Sequence, residues 1–328
     1  MLALALLSSF LQPSLATAPT NGCGRPLPSK LAAGKTANFT LALSNSTDPP
    51  SDREYHVYIP PSYDQDNPTA LTFSIHGRTE NMMQQERVSK LSHPDFNPSA
   101  IAIYPQGLFK KGTHIRQWSG DPDSPPSIND TVFIAELLDH FQARYCIDPA
   151  RVYATGKSNG GGMVDRLACD PSMSFRIAAF APVSGAFYPL FQEPCSSGRR
   201  PIPMLEFHGG NDSVIHYDGG PDGSNRGDTL AIPTFLAQWA DRDCPPVGVG
   251  NVTVQLTNYE GKNYANKTTW SCGAGEGIVT HYFSSFLGHT WPNEMNAGYE
   301  TTRVILEFFG NHSLDTEARV TGRKQYEL

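Results

Sequence analysis

The chain has 328 residues, of which 39% are hydrophobic and 10% aromatic, and this is enough apolar material to form a core. Its formal net charge of −7 argues against nucleic acid or an anionic membrane surface as a binding partner. The 29 glycines and 27 prolines indicate many ordered loops between the regular elements.

The amino terminus has the pattern of a secretory leader. An apolar run over residues 1–11 is followed by small residues, so residues 1–18 are predicted to be a signal peptide, cleaved after Ala16 or Ala18. No other segment approaches the roughly 20 apolar residues that a membrane-spanning helix needs. Because no repeat, linker or charge block divides the rest, residues 19–328 are predicted to form a single secreted domain.

Strand-like and helix-like segments alternate along that domain. Runs of β-prone residues are expected at 55–59, 70–76, 100–104, 152–155, 177–183, 204–208, 252–259 and 281–286. Helical patterns occupy 130–145, 160–168, 229–242 and 299–309, with Asn129 or Asp130 as the N-cap of the first. Several strand runs are almost wholly apolar, as is typical of strands covered on both faces. The alternation predicts an α/β fold with a mostly parallel central sheet and helices on both faces.

Six cysteines without a C-x-x-C pair favour disulfides in an oxidising compartment over a metal site. Proximity along the chain favours the pairs Cys169–Cys195 and Cys244–Cys272, which leaves Cys23–Cys146. The density of glycosylation sequons is consistent with a eukaryotic secreted glycoprotein. The predicted glycosylation sites are Asn38, Asn45, Asn129, Asn251, Asn266 and Asn311.

The segment around Ser158 carries the most informative motif. A β-prone run ends in Gly156-Lys157-Ser158-Asn159-Gly160, and a helix-like segment follows at once. This is the G-x-S-x-G nucleophile elbow, a tight strand-to-helix turn that lifts a serine Oγ clear of the sheet. Glycine is needed at both flanking positions because a Cβ there would crowd the neighbouring strand and helix. The motif predicts Ser158 as a catalytic nucleophile.

A serine hydroxyl becomes a good nucleophile when an imidazole takes its proton and an acid orients that imidazole. In the elbow-containing fold, the acid and then the histidine follow the serine along the chain. Asp212 lies just beyond the strand run 204–208, and His289 lies just beyond the run 281–286. Loops at the carboxyl edge of a parallel sheet converge on one crevice, so Ser158, Asp212 and His289 are predicted to meet there.

Other acids and histidines compete for these two roles. Asp218, Asp222 and Asp228 lie in turn-like sequence, which favours Asp212 as the acid. The strand histidines are expected to be packed structural residues, and His216 is expected to serve the wall of the site or the surface. These strand residues are His56, His208 and His281.

The tetrahedral intermediate of ester hydrolysis needs hydrogen-bond donors aimed at its oxyanion. One is expected to be the backbone N–H of Asn159, the residue after the nucleophile. The other is expected from the loop after an early strand, where Arg78 is the first choice and Thr79 the alternative.

Several further segments, taken together, carry a family resemblance. They are Gly22-Cys-Gly24, Tyr58-Ile-Pro-Pro-Ser-Tyr63, His76-Gly-Arg78, Gln117-Trp118, Cys146-Ile-Asp-Pro-Ala-Arg-Val-Tyr153, Gly156-Lys-Ser-Asn-Gly-Gly161, His208-Gly-Gly-Asn-Asp212 and Gly288-His-Thr-Trp-Pro292. With them the chain resembles the secreted fungal esterases of carbohydrate esterase family 1, above all the feruloyl esterases, with relatives among acetylxylan esterases and polyhydroxybutyrate depolymerases. The resemblance implies an α/β-hydrolase fold with Ser158, Asp212 and His289 as nucleophile, acid and base. It implies no cofactor, metal or protein partner.

The expected substrate is a feruloylated plant cell-wall polysaccharide or oligosaccharide. A flat feruloyl group favours an apolar slot with aromatic walls, for which Trp118 and Trp291 are the first candidates. Phe109, Phe187 and Tyr188 lie on segments that could also reach the crevice. Acetylated xylan, which needs only a small pocket, and a polyhydroxybutyrate-type polyester, which needs a longer groove, are the alternative substrates. A non-catalytic wall-binding protein is the alternative of another class, but the complete set of catalytic residue types argues against it.

Overall fold

A sheet of ten strands runs through the part of the chain that the structure describes. The computed structural model describes residues 22–44, 52–125, 127–189, 195, 198–244, 250–259, 263–272 and 275–314. The predicted signal peptide and the sequon at Asn45 lie outside these residues.

The strands of this sheet follow the order β1-β2-β4-β3-β7-β8-β9-β14-β13-β12. They are Lys35–Ala42 (β1), Asp52–Ile59 (β2), Thr69–Ile75 (β3), Ala100–Pro105 (β4), Ile147–Lys157 (β7), Ala179–Val183 (β8), Met204–Gly209 (β9), Gly250–Tyr259 (β12), Asn263–Cys272 (β13) and Gly275–Ser284 (β14). From β4 through β14 the neighbours pair in parallel, whereas β1 and β2 on one side and β13 and β12 on the other pair antiparallel. The prediction of a mostly parallel central sheet is confirmed.

The remaining elements connect or cover this sheet. Two short ribbons pair Leu108–Phe109 (β5) with Arg116–Gln117 (β6), and Gly220–Pro221 (β10) with Asp228–Thr229 (β11). The helices are Met82–Ser89 (α1), Asp130–Arg144 (α2), Asn159–Cys169 (α3), Ile232–Asp243 (α4), Glu294–Ala297 (α5) and Thr301–Gly310 (α6), with a single 3₁₀ turn at Met173–Phe175.

Hydrophobic clusters lie on both faces of the sheet. One cluster joins strand residues to Phe133 of α2, Met163 of α3 and Phe235 of α4. The other joins the alternate strand residues to Ile305 and Phe309 of α6. Strands β3, β4, β8 and β9 are buried along their whole length because helices cover both of their faces. This agrees with their nearly unbroken apolar sequences.

The start of α2 shows which of two candidate caps the chain uses. Asn129 Oδ1 accepts hydrogen bonds from the N–H of Thr131 at 3.1 Å and of Val132 at 3.4 Å. Asp130 instead turns inward, where its carboxylate lies 2.7 Å from the guanidinium of Arg53. Asn129 is therefore the N-cap.

Some elements were not predicted from the sequence. Strands β1 and β13 are rich in polar residues and few of their side chains are buried, so no apolar run marks them, and they form by pairing with β2 and β14. Strand β14 begins at Gly275, well before the predicted run 281–286, because its first half also pairs with β13. Helix α1 was missed as well, although Asn81 caps it through two backbone N–H groups.

Disulfides join Cys169 to Cys195, as sequence proximity predicted, and Cys23 to Cys146, the pair that this assignment left over. Cys244 is also disulfide-bonded. Its predicted partner, Cys272, has a side chain outside the described part of the structure. None of the described helices combines the length and apolar composition that crossing a bilayer requires.

Candidate active site

Ser158 lies in the sharp turn between β7 and α3. Its backbone adopts φ 56° and ψ −121°, a left-handed conformation that a residue other than glycine rarely takes. Strain of this kind collects at functional sites, where the surrounding structure holds it in place. The turn leaves Ser158 at 9% exposure, at the carboxyl end of the central strand.

The flanking glycines are required by close backbone contacts. A Cβ on Gly160 would lie 2.2 Å from the carbonyl oxygen of Ile75 and 2.5 Å from that of His76. A Cβ on Gly156 would lie 2.6 Å from the carbonyl oxygen of Gly160. The strand and the helix therefore approach each other as the motif predicted, and the approach brings the loop after β3 against Ser158.

Asp212 and His289 form a close pair on two neighbouring loops. His289 Nδ1 lies 2.7 Å from Asp212 Oδ2, and Asp212 Oδ1 accepts the N–H groups of Val214 at 2.9 Å and Ile215 at 2.8 Å. The Asp212 carboxylate is fully buried, whereas the His289 ring is 14% exposed. Burial by itself raises the pKa of Asp212, but hydrogen bonds from His208 and His289 outweigh burial and hold that pKa well below its usual range. Asp212 is thus an ionised carboxylate that orients the imidazole of His289.

The end of β8 links Ser158 to the loop that carries His289. The N–H of Ser158 donates to the carbonyl of Val183, the last residue of β8, at 3.0 Å. The next side chain, Ser184 Oγ, donates to the carbonyl of Thr290 at 3.0 Å. The structure therefore brings Ser158 and the Asp212–His289 pair to the same carboxyl edge of the sheet, on either side of one strand end.

The loop after β3 presents a backbone N–H to this edge. A Cβ built on Gly77 would lie 3.3 Å from Ser158 Cβ, so the loop touches Ser158. The N–H of Thr79 is already used, since it donates to the carbonyl of Arg116 at 2.9 Å, and that of Gly77 donates to Glu80 Oε2 at 3.0 Å. This leaves the N–H of Arg78 to face an oxyanion and favours Arg78 over Thr79.

Two hydrogen bonds fix the direction of that N–H group. The carbonyl of Gly77 accepts from the N–H of Glu80 at 3.2 Å and from His76 Nδ1 at 2.7 Å. Because the C=O and N–H of a trans peptide point in opposite directions, these bonds also orient the N–H of Arg78. His76 Nε2 accepts the N–H of Gly107 at 2.9 Å, which makes this ring neutral, and burial lowers the pKa of His76 to about 4.

The second candidate donor comes from α3. Asn159 is the first residue of that helix, so its N–H has no acceptor within the helix. Its side chain is bonded elsewhere, since Asn159 Oδ1 accepts the N–H of Trp118 at 2.7 Å. Arg78 and Asn159 both lie next to Ser158, and their role as the pair of oxyanion donors stays a prediction.

Trp118 and Trp291 do not line a slot, and the prediction that they contact substrate is wrong for this structure. Trp118 is fully buried, and its indole N–H donates to the carbonyl of His76 at 2.8 Å. Trp291 is 3% exposed, and its indole N–H lies 3.2 Å from Thr302 Oγ1 of α6. A buried indole needs a partner for its N–H, and here each of these hydrogen bonds anchors the loop that carries the tryptophan.

Among the other aromatic candidates only Phe109 is accessible. Phe187 and Tyr188 are buried, the first stacked on Phe235. Phe109 is 45% exposed, and the Arg116 guanidinium lies 3.8 Å from its ring centroid. Because the carbonyl of Arg116 also accepts the N–H of Thr79, this stacked pair lies beside the loop after β3, which is called the oxyanion loop below.

Two polar pairs near the site were not identified from the sequence. Lys157 Nζ lies 2.9 Å from Glu80 Oε1, and it lowers the pKa of Glu80 although burial acts in the other direction. Glu206 lies fully buried in β9, with Oε1 3.0 Å from His208 Nδ1. The sequence did carry a signal for the second pair. Glu206 and His208 are two polar residues two positions apart in an apolar strand, so their side chains lie on the same face of the sheet.

The predicted glycosylation sites lie mostly on the surface. The exposed ones are Asn38, Asn129, Asn251 and Asn311, whereas Asn266 is half-buried. Asn129 caps α2 through Oδ1, which leaves Nδ2, the atom that a glycan would occupy. Their occupancy stays a prediction.

Comparisons with known proteins show the family and the fold of the chain. No protein-family model matches the chain. The chain is 30% identical over 254 residues to feruloyl esterase C of Emericella nidulans, which covers 75% of this chain and 80% of that protein. It is 31% identical over 189 residues to a probable feruloyl esterase C of Aspergillus niger, which covers 56% of this chain and 64% of the relative, slightly less than two thirds. The solved acetyl xylan esterase from Aspergillus awamori matches with a TM-score of 0.57 at 18% identity, over 84% of this chain and 99% of that one. With the strand order, this likeness identifies an α/β-hydrolase fold.

Proposed function

This chain belongs to the feruloyl esterases, and we propose that it is a secreted serine esterase that hydrolyses feruloyl esters of plant cell-wall polysaccharides through Ser158, His289 and Asp212. The observation that carries the proposal is the bond between His289 Nδ1 and the buried carboxylate of Asp212, at the same edge of the sheet as the strained elbow at Ser158. Because His289 Nδ1 carries the proton that it donates to Asp212, Nε2 is the nitrogen that can accept a proton from the serine hydroxyl.

In the acylation step, Ser158 Oγ attacks the ester carbonyl carbon while His289 Nε2 takes the hydroxyl proton. The negative charge that develops on the carbonyl oxygen is stabilised by the N–H groups of Arg78 and Asn159. Asp212 stays ionised and stabilises the imidazolium that forms. When the tetrahedral intermediate collapses, the bond to the sugar oxygen breaks, and His289 returns the proton to that oxygen.

In the deacylation step, a water molecule takes the place of the sugar hydroxyl. His289 removes a proton from the water, and the resulting hydroxide attacks the acyl carbon of the Ser158 ester. The same two N–H groups stabilise the second oxyanion. Ser158 leaves with the proton from His289, and the hydroxycinnamic acid is released.

Recognition of the acyl group is assigned to Phe109 in place of the two tryptophans. Its ring is exposed beside the oxyanion loop and is already stacked on the Arg116 guanidinium, which keeps it in one orientation. An aromatic acyl group can stack on such a ring, and a pair of this kind contributes about 1 kcal/mol beyond burial. An acetyl group cannot make this contact.

The secreted state rests on several independent features. The apolar leader at residues 1–11, the disulfides Cys23–Cys146 and Cys169–Cys195, and the exposed sequons all fit an oxidising compartment. A substrate in the plant cell wall requires the enzyme to act outside the cell that makes it.

The experiment compares wild type, Ser158→Ala and Ser213→Ala on methyl ferulate, acetylated xylan and polyhydroxybutyrate. Ser213 is an exposed serine beside the acid and serves as the matched control. Wild type and Ser213→Ala are expected to release ferulate, whereas Ser158→Ala is expected to retain the fold and to release none above background. Turnover of methyl ferulate by Ser158→Ala would overturn the mechanism.

The substrate panel separates the alternatives. Release of acetate from xylan without any release of ferulate would identify an acetylxylan esterase instead. Hydrolysis of polyhydroxybutyrate alone would identify a polyester depolymerase. Binding to wall material without hydrolysis of any ester would identify a non-catalytic member of the fold.

A further inference from the structure

Five side chains form a continuous line that ends at the candidate catalytic histidine. His281 Nδ1 lies 2.8 Å from Glu206 Oε2, Glu206 Oε1 lies 3.0 Å from His208 Nδ1, and His208 Nε2 lies 3.4 Å from Asp212 Oδ2. His289 completes the line at 2.7 Å from the same Asp212 oxygen. The side chains of Glu206, His208 and Asp212 are fully buried. Only the last two members of this line have a role in the mechanism above.

His281 has a hydrogen-bond partner at each ring nitrogen. Its Nδ1 lies 3.2 Å from the carbonyl oxygen of Glu206, which only accepts, so Nδ1 carries a proton. Its Nε2 lies 3.3 Å from the hydroxyl of Tyr217, which can donate to it.

His208, by contrast, has acceptors at both ring nitrogens. Its Nε2 lies 2.9 Å from the carbonyl oxygen of Ile215, so this nitrogen carries a proton. Its Nδ1 faces the carboxylate of Glu206 at 3.0 Å. A buried carboxylate needs a cation or a proton, and a proton on His208 Nδ1 meets that need while it makes His208 an imidazolium.

We propose that Glu206 and His208 form a second carboxylate–histidine pair behind the catalytic residues, in which the imidazolium of His208 faces the same Asp212 oxygen as His289 and so moderates the basicity of His289. Both are positioning residues, since they act through Asp212. The proposal rests on the proposed function of Ser158, His289 and Asp212.

The charges around His208 support this assignment. Burial alone lowers its pKa, but the hydrogen bonds and negative charges of Asp212 and Glu206 raise the pKa of His208 to about 10. The pKa of Glu206 is lowered, although burial opposes this, because His208 and His281 face its two oxygens. Tyr217 is the other titratable side chain packed against the His208 ring, and burial raises the pKa of Tyr217, so it stays neutral.

The consequence for His289 has a definite sign. Asp212 shares its charge between His289 and the imidazolium of His208, so it attracts a proton on His289 less strongly than an unshared carboxylate would. Loss of the positive charge on His208 therefore raises the affinity of His289 for its proton. The negative charge of Glu206 acts in the opposite direction but lies farther from His289, on the far side of His208.

The test is the pH dependence of kcat/KM for Glu206→Gln. Glutamine can accept from His281 and donate to His208 Nδ1, so both contacts survive while the charge is removed. The acid limb of the profile is expected to move to higher pH by about one unit, with the alkaline plateau nearly unchanged. A lower plateau with an unmoved acid limb would show a merely structural role and would overturn the proposal.

A matched pair elsewhere in the sheet provides the control. His56 Nε2 lies 3.0 Å from Glu86 Oε1, on β2 and α1, and β2 is separated from β9 by four strands of the sheet. Glu86→Gln removes a similar carboxylate–histidine interaction and is expected to leave the acid limb in place. An equal shift in this variant would show that the effect is not specific to Glu206.

A second measurement does not depend on activity. In wild-type protein labelled with ¹⁵N-histidine, both ring nitrogens of His208 are expected to be protonated at neutral pH, with the signals assigned by their loss in His208→Gln. A neutral His208 in this spectrum would overturn the proposal even where wild type is an active esterase. Conversely, an imidazolium in a protein that hydrolyses no ester would leave the charge assignment intact and would count against the proposed function alone.

Discussion

Replacement of Asp212 by asparagine is expected to abolish most of the activity while it preserves the shape of the site. Asp212 Oδ1 accepts two backbone N–H groups, from Val214 and Ile215, at 2.9 and 2.8 Å. In Asp212→Asn these two donors hold the amide oxygen at the Oδ1 position. The amide NH₂ is therefore forced to the Oδ2 position, where it faces His289.

The magnitude follows from the tautomer that this arrangement imposes. An NH₂ group cannot accept from His289 Nδ1, so the ring must move its proton to Nε2 to accept at Nδ1. The proton then occupies the nitrogen that should receive the proton of Ser158. In a serine protease the equivalent change lowers kcat by about 10⁴-fold, which corresponds to about 5 kcal/mol of transition-state stabilisation. A loss of this order is expected here for methyl ferulate.

The assay is steady-state hydrolysis of methyl ferulate, with thermal unfolding to verify the fold. Asp218→Asn is the matched control, because Asp218 is an exposed carboxylate on the same loop. It is expected to keep wild-type kcat. Retention of more than about a tenth of wild-type kcat by Asp212→Asn would refute the role of Asp212, and a large loss in Asp218→Asn would reassign it.

Three further changes have defined outcomes. Gly160→Ala places a Cβ 2.2 Å from the carbonyl oxygen of Ile75 and is expected to lower the free energy of unfolding by about 3 kcal/mol in urea titrations. Gly310→Ala is the control, because the space around its Cβ is open, and it is expected to leave the free energy of unfolding unchanged. Equal effects of the two substitutions would contradict the contacts at the elbow. Phe109→Ala is expected to raise KM about fivefold for methyl ferulate, since about 1 kcal/mol of stacking is lost, and to leave KM for a small acetyl ester unchanged. An equal rise in KM for both esters would show that Phe109 does not recognise the acyl group. Because the folded pKa of His208 is raised to about 10, its stabilising effect is complete below its unfolded pKa of about 6.5 and is lost as the pH rises toward 10. The loss of unfolding free energy in His208→Gln should therefore be greatest near pH 6 and shrink toward pH 10, and a loss that grows with pH would contradict the sign.

The central sheet and the elbow could be predicted because local sequence determines them. Strands such as β3 and β9 are apolar along their length, and the glycines around Ser158 are dictated by contacts between adjacent segments. Strand β13 could not be predicted in the same way, since its polar residues carry no burial pattern and its conformation depends on pairing with β12 and β14. Local pattern is informative where burial is two-sided and uninformative for a polar strand such as β13, which forms by pairing with its neighbours.

The aromatic wall shows a different limit of sequence reasoning. Trp291 lies two residues from His289 and Trp118 lies on a segment that could reach the crevice, but the sequence does not tell which side of a loop a side chain takes. Each indole N–H donates to a buried acceptor. The acceptor is the carbonyl of His76 for Trp118 and the hydroxyl of Thr302 for Trp291. Such long-range partners are set by packing of distant segments, and no pattern near either tryptophan encodes them.

The most direct test of the account is detection of the acyl-enzyme itself. Wild-type protein is mixed with an activated feruloyl ester, quenched rapidly in acid and digested, and the peptides are analysed by mass spectrometry. One feruloyl group is expected on Ser158, absent from Ser158→Ala and from wild type not exposed to the ester. A turning-over enzyme that carries no acyl group on Ser158, or that carries one on another residue, would contradict the account.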